Sequence, residues 1–250
     1  MKYFRRYPFI NAYNIRDLGG YPTSDGGITK FGIFYRADSL ANLTHDEWLM
    51  LEQMKVKTII DLRSTKEKKS QSYVPLQSIQ YFHMPLQDEK KSSAVIENAI
   101  HRYAYEEGFS KSMSETYISL FKNNIHNIIQ IMKTIASAVE NGSVLFHCTA
   151  GKDRTGIIAA LILYLCKVEL ADISADYQIT YTYNLKNPII QEVVQLYGSL
   201  LRSDPDSIEA LILYFLTENI ENSLLRRALS ENELESMKSH FLLFDRKDSV

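Results

Sequence analysis

The feature that most constrains this chain is a strand-to-helix junction. Residues 144–147, Val144-Leu145-Phe146-His147, are an apolar run of strand length, and Gly156 leads into Ile157-Ile158-Ala159-Ala160-Leu161-Ile162-Leu163, an apolar helix. Between them lie Cys148-Thr149-Ala150-Gly151-Lys152-Asp153-Arg154-Thr155. A loop at a helix N-terminus turns several main-chain N–H groups toward one centre, and the helix dipole adds positive potential, so the turn is a cradle for an anion. Gly151 frees the backbone to close it. Arg154 offers a planar fork that suits two phosphate oxygens. The same field favours a thiolate at Cys148, which makes it a nucleophile at neutral pH.

The rest of the first half alternates short strands with helical segments, the pattern of an α/β domain with a partly parallel sheet. Strands are expected at 33–36, 56–62, 79–86 and 144–147. Thr44 with Glu47 forms a capping box that opens a helix carrying Trp48, Leu51 and Met54 on one face. Residues 92–107 read as a helix with a weak apolar stripe or as a flap over a site. In 114–140 the apolar side chains from Tyr117 through Val139 recur at helical spacing up to Gly142, which predicts one long helix feeding a strand. Beyond 168 the pattern is all helical, over 170–183, 188–201, 206–222 and 230–244, with Ser230 and Glu233 as a second capping box. Leu211, Tyr214 and Phe215, then Leu234, Met237 and Phe241, form stripes suited to core or lid packing, with a dimer face as the alternative. The expected organisation is a single domain over 1–250, with a catalytic α/β core in 1–168 and a helical extension or lid in 169–250.

Charge and cysteine usage narrow the function classes. Lysine and arginine number 28 against 30 acidic residues, a net charge of −2, so there is no global basic field for holding nucleic acid. Two cysteines, Cys148 and Cys166, rule out a disulfide scaffold and fit a reducing compartment, so the cytoplasm is expected; secretion without a cleaved signal stays open. No signal peptide is apparent, and the longest apolar run, 157–166, is too short for a transmembrane segment. Cys166 reads as a buried core thiol, and Lys66, Lys68 and Lys69 as a solvated face. His83, His101, His126 and His240 show no metal-ligand spacing.

Cys148, five intervening residues, Arg154 and Thr155 resemble the signature of the protein tyrosine phosphatase superfamily. The form His147-Cys148-Thr149-Ala150-Gly151-Lys152-Asp153-Arg154-Thr155-Gly156 is similar to its atypical microbial branch, whose members act on phosphotyrosine, sometimes phosphoserine or phosphothreonine, and on phosphoinositides. Asn14-Ile15-Arg16-Asp17-Leu18-Gly19-Gly20, Tyr35-Arg36-Ala37-Asp38 and Asp61-Leu62-Arg63-Ser64 resemble that branch in the same order. The resemblance implies a three-layer fold, a mostly parallel central sheet flanked by helices. It also implies a phosphocysteine mechanism without metal or cofactor. Cys148 attacks phosphorus, Arg154 and the loop from Thr149, Ala150, Gly151, Lys152 and Asp153 to Thr155 hold the oxygens, and Thr155 donates to the departing sulfur. His147 orients the loop and supports the thiolate, while Asn14, Arg16 and Asp17 brace the loop.

The general acid is either Asp88, just past Phe82-His83-Met84-Pro85-Leu86, or Asp153, whose other roles would be to tie the loop down or position water. Lys152 resembles the loops of enzymes acting on inositol phospholipids, where a second cation suits substrates with more than one phosphate. The expected partners are phosphoproteins, with phosphoinositides as a further substrate class, and phosphate or other oxyanions in the loop. The rival reading is a phosphoprotein-binding module that keeps the cradle without turnover. Oligomeric state is not legible.

Overall fold

The computed structural model describes residues 4–87, 109–188, 190, 191 and 202–244. Asp88 and the segment 92–107 lie outside the described residues, as does most of 188–201. A five-stranded sheet runs in the order β1 (Arg16–Asp17), β3 (Phe34–Ala37), β6 (Ser143–His147), β4 (Val56–Asp61), β5 (Gln80–His83). β1 is antiparallel to β3, and the other neighbours are parallel. Strand side chains alternate between faces. Val144 and Phe146 of β6 therefore join Phe34 and Ile60 in one core, while Leu145 joins Tyr35 and Ile59 in a second core on the opposite face.

The second core is covered by α1 (His45–Gln53), through Trp48 and Leu51. Its capping box at Thr44 and Glu47 is formed as expected. The first core is thicker, with α3 (Phe109–Asn123), α4 (Ile125–Ala138) and α5 (Asp153–Leu165) packed there. From Gly156 through Leu163 every residue of α5 is buried, as an all-apolar helix requires. This is a three-layer α/β architecture with a mostly parallel sheet. The later elements α6 (Leu170–Asn184), α7 (Pro205–Thr217), α8 (Ile220–Arg227) and α9 (Glu231–Phe241) contribute Ile173, Leu211, Phe215, Leu224, Leu234, Met237 and Phe241 to the same first core.

Three expectations need correction. The long helix over 114–140 is two helices, because Asn124 competes with its own backbone. Its Nδ2 donates to the Leu120 carbonyl at 2.8 Å, the oxygen its main-chain N–H would take in a continuous helix, and that N–H turns to Phe121 instead. The expected 206–222 helix ends at Thr217, since Asn219 adopts a left-handed conformation, φ 46° and ψ 61°, which asparagine tolerates. The end of the chain is not all helical. Leu242–Phe244 form β7, antiparallel to β2 (Gly27–Thr29).

Parallel sheets place their functional loops at the carboxyl ends of the strands. β6 is central, and His147 at its end is in register with Ala37 of β3 and Asp61 of β4. The loop that follows is therefore flanked by the chain leaving β3 and the chain leaving β4 into the short helix α2 (Thr65–Ser70).

Candidate active site

Each carbonyl along the loop is held by a donor from outside it. His147 Nδ1 donates to the Cys148 carbonyl at 3.1 Å, and the Ser39 N–H to that of Thr149 at 3.0 Å. The Ala150 carbonyl accepts from Asn14 Nδ2 at 3.1 Å and Asn184 Nδ2 at 2.9 Å. That of Gly151 accepts from Asn14 Nδ2 at 3.2 Å and an Arg36 terminal nitrogen at 2.7 Å. A trans peptide points its C=O and N–H in opposite directions, and no cis peptide is present among the described residues. With the carbonyls of Cys148 through Gly151 turned out, the N–H groups of Thr149 through Lys152 face inward. Lys152, at the cap position of α5, makes no side-chain cap to the first N–H groups of that helix.

Gly151 is irreplaceable in this geometry. Its φ is +65°, and a Cβ there would lie 2.5 Å from the Ala37 carbonyl oxygen and 2.7 Å from Asn14 Nδ2. Cys148 sits at the floor, 2% exposed. The Thr155 hydroxyl, one turn into α5, is buried without a hydrogen-bond partner among the described residues.

Arg154 is gripped by a residue the sequence reading missed. Glu67 of α2 takes its two terminal nitrogens at 2.6 and 2.7 Å and also accepts from the Thr149 hydroxyl at 2.5 Å. Burial alone would lower the Arg154 pKa, but Glu67 and the charges of Cys148 and Asp153 outweigh it and raise the pKa above the ordinary value. Glu67 is held well below the carboxylate range by Arg154 despite its own burial. The available signal was the spacing Ser64-x-x-Glu67, a capping box that turns the glutamate back toward the helix start. The surrounding lysines masked it.

His147 is fully buried and neutral, its pKa pushed down to about 4 by burial. Because carbonyl oxygen only accepts, Nδ1 carries the proton, and Nε2 accepts from the Tyr73 hydroxyl at 2.5 Å. Between about 4 and the ordinary 6.5 the unfolded chain binds a proton that the folded chain refuses. This part of the stability is complete above pH 6.5 and is lost as pH falls toward 4. Relative to His147→Gln, the parent should lose about 3 kcal/mol of unfolding free energy over that interval. Urea denaturation at stepped pH checks this, and a pH-independent difference between the two proteins would refute it.

The remaining expected residues separate into two groups. Asn14 reaches the loop directly, and Arg16 does so through it, donating to Asn14 Oδ1 and to Asp176 at 2.9 Å. Asp17 goes elsewhere. Its side chain accepts from the N–H groups of Gly19 and Gly32, both at 2.7 Å, and so ties the turns around β1 rather than the loop after β6. Lys152, expected beside the substrate, is 3% exposed, with Nζ 3.1 Å from Asp153 Oδ1 and 3.2 Å from the Arg202 carbonyl. Asp153 also accepts from the Tyr117 hydroxyl at 2.5 Å. Burial raises its pKa, but Lys152, Tyr117 and Arg154 outweigh that and hold it below the usual range. Asp176, Asn184, Tyr73 and Tyr117 are further site residues missed in the sequence. Each joins the loop across a long sequence separation, where no local spacing marks it.

Among the described residues, no group of three or more His, Cys, Asp or Glu side chains could hold a metal ion, and no helix is long and apolar enough to cross a membrane. A tyrosine-protein phosphatase of Nostoc commune is 35% identical over 150 residues, covering 60% of this chain and 49% of that protein. The triple specificity protein phosphatase PtpB of Mycobacterium tuberculosis is 26% identical over 188 residues, covering 66% of each. The alignments thus span about half to two thirds of these relatives. The crystal structure of P. aeruginosa TpbA aligns over 88% of this chain and 94% of its own, with 12% identity and a TM-score of 0.39. The model of the tyrosine phosphatase family matches residues 7–243, from the segment before β1 to the last strand, and so the chain belongs to that family.

Proposed function

We propose that the protein hydrolyses phosphotyrosine in proteins through a phosphocysteine intermediate on Cys148, without a metal. The observation that carries this reading is the set of carbonyls after Cys148 tied outward, with Arg154 gripped at both terminal nitrogens by Glu67. The Cys148 thiolate attacks phosphorus, the P–O bond to the leaving group breaks, and the inward N–H groups with Arg154 hold the three equatorial oxygens. Water then cleaves the S–P bond, and the Thr155 hydroxyl is placed to stabilise the departing thiolate. A cysteine only 2% exposed favours a phosphate carried on a long, rigid aryl arm. Similarity to a triple specificity protein phosphatase supports a substrate range wider than phosphotyrosine alone. Lys152 already has partners in Asp153 and Arg202, so it lends no support to selection of phosphoinositides.

Proton delivery to the leaving group falls to Asp88 in this reading. Asp153 is held ionised and is suited to accept a proton or orient water rather than to donate. Asp88→Asn is expected to lower kcat by about 10²-fold or more on phosphotyrosine peptides and far less on an aryl phosphate with a good leaving group. The assay is steady-state kinetics in EDTA with both substrates. Equal, small effects would remove Asp88 from the mechanism, and activity that depends on added metal would remove the mechanism itself.

A further inference from the structure

The catalytic steps use the loop between β6 and α5, yet α6 aims a buried polar stripe at it. Asp176, Thr180 and Asn184 follow one another at four-residue spacing on α6, and all are buried. Asp176 lies between two guanidinium groups, Arg16 at 2.9 Å and Arg36 at 2.5 Å, and Thr180 accepts from Arg16 at 2.9 Å. Arg36 passes this anchoring on to the Gly151 carbonyl. Asn184 acts directly, donating Nδ2 to the Ala150 carbonyl.

Asn184 is a poor choice for packing alone. It is 3% exposed, and its Oδ1 is buried with no hydrogen-bond partner among the described residues. A buried amide oxygen without a partner destabilises a fold, and an apolar side chain of similar volume would remove that cost. What an apolar residue could not supply is the donor on Ala150. The flipped amide would set oxygen against oxygen, so the carbonyl fixes which end points at the loop.

Resting on the reading of the loop as an oxyanion cradle, we infer that α6 is its positioning element: Asn184 directly, and Asp176 through Arg16 and Arg36, hold the Ala150 and Gly151 carbonyls outward so that the next two N–H groups meet the anion. Functionally, α6 belongs with the catalytic core rather than with an extension beginning at residue 169.

The test uses tungstate, a tetrahedral oxyanion whose binding needs no turnover. Asn184→Leu should keep or raise the melting temperature while weakening tungstate binding about fivefold to tenfold, because Asn14 still holds the Ala150 carbonyl. Asn184→Asp keeps the shape but aims a carboxylate at that carbonyl. It should weaken tungstate by about 10²-fold and shift the pH profile of Cys148 alkylation by iodoacetate upward. A residue that only fills space would leave both tungstate affinity and the alkylation profile in place in the leucine and aspartate variants alike. If Asn184→Leu does not fold, the aspartate isostere decides the matter. Parental tungstate affinity in the folded variants overturns the positioning role alone. A parent that binds tungstate but hydrolyses no aryl phosphate overturns the phosphatase reading alone, and a parent that binds no tungstate overturns both.

Discussion

Cys148→Ser is expected to abolish turnover of phosphotyrosine and aryl phosphates, a loss of at least about 10⁴-fold in kcat, while oxyanion binding survives. In the proposed mechanism the sulfur attacks as a thiolate, and a serine hydroxyl, a far weaker acid than a thiol, would not ionise under the same field. A base would be needed, and the nearest imidazole cannot serve. His147 gives its Nδ1 proton to the Cys148 carbonyl and receives the Tyr73 hydroxyl at Nε2, so both nitrogens are committed. The ring of N–H groups and Arg154 are untouched by the change, so tungstate should bind at near-parental affinity. Residual hydrolysis above one part in a thousand, at parental pH dependence, would place the nucleophile elsewhere.

The second large effect is expected at Arg154. Arg154→Lys should lower kcat by about 10³-fold, because an ammonium is a point charge that cannot grip Glu67 through two nitrogens and still present a planar edge to phosphate. Lys152 cannot take over, since it is already engaged with Asp153 and the Arg202 carbonyl. Truncation to alanine should be worse still, since it leaves the Glu67 carboxylate facing an incoming phosphate with no cation between them. Adding Glu67→Gln to Arg154→Ala should therefore restore part of the lost oxyanion affinity, a non-additivity that a double-mutant cycle reads directly. Strict additivity would show that Glu67 and Arg154 do not work as a unit.

The strand, loop and helix around Cys148 were legible because each part announces itself locally, through apolar runs, a glycine and a fixed spacing from nucleophile to arginine. The capping boxes at Thr44 and Ser230 were legible for the same reason, and both formed. What escaped depended on competition or distance. Asn124 breaks a well-patterned helix because its side chain outbids its backbone for one carbonyl, a contest that periodicity does not register. Leu242–Phe244 looked like a helix end and became a strand because Gly27–Thr29, far away in sequence, offered an edge. Glu67, Asp176 and Asn184 carry no motif toward Cys148. They reach the loop only because β4 pairs with β6 and α6 packs against α5.

The loop owns almost none of its own shape: the donors that hold it come from Asn14, Arg36, Ser39 and Asn184, and its arginine is steered from Glu67. No fragment that loses part of the span from Asn14 to Asn184 can therefore be competent by itself, and unfolding at either end of that span disassembles the whole apparatus at once. Catalytic turnover is then a sensitive gauge of nativeness, expected to vanish on denaturation no later than the global spectroscopic transition.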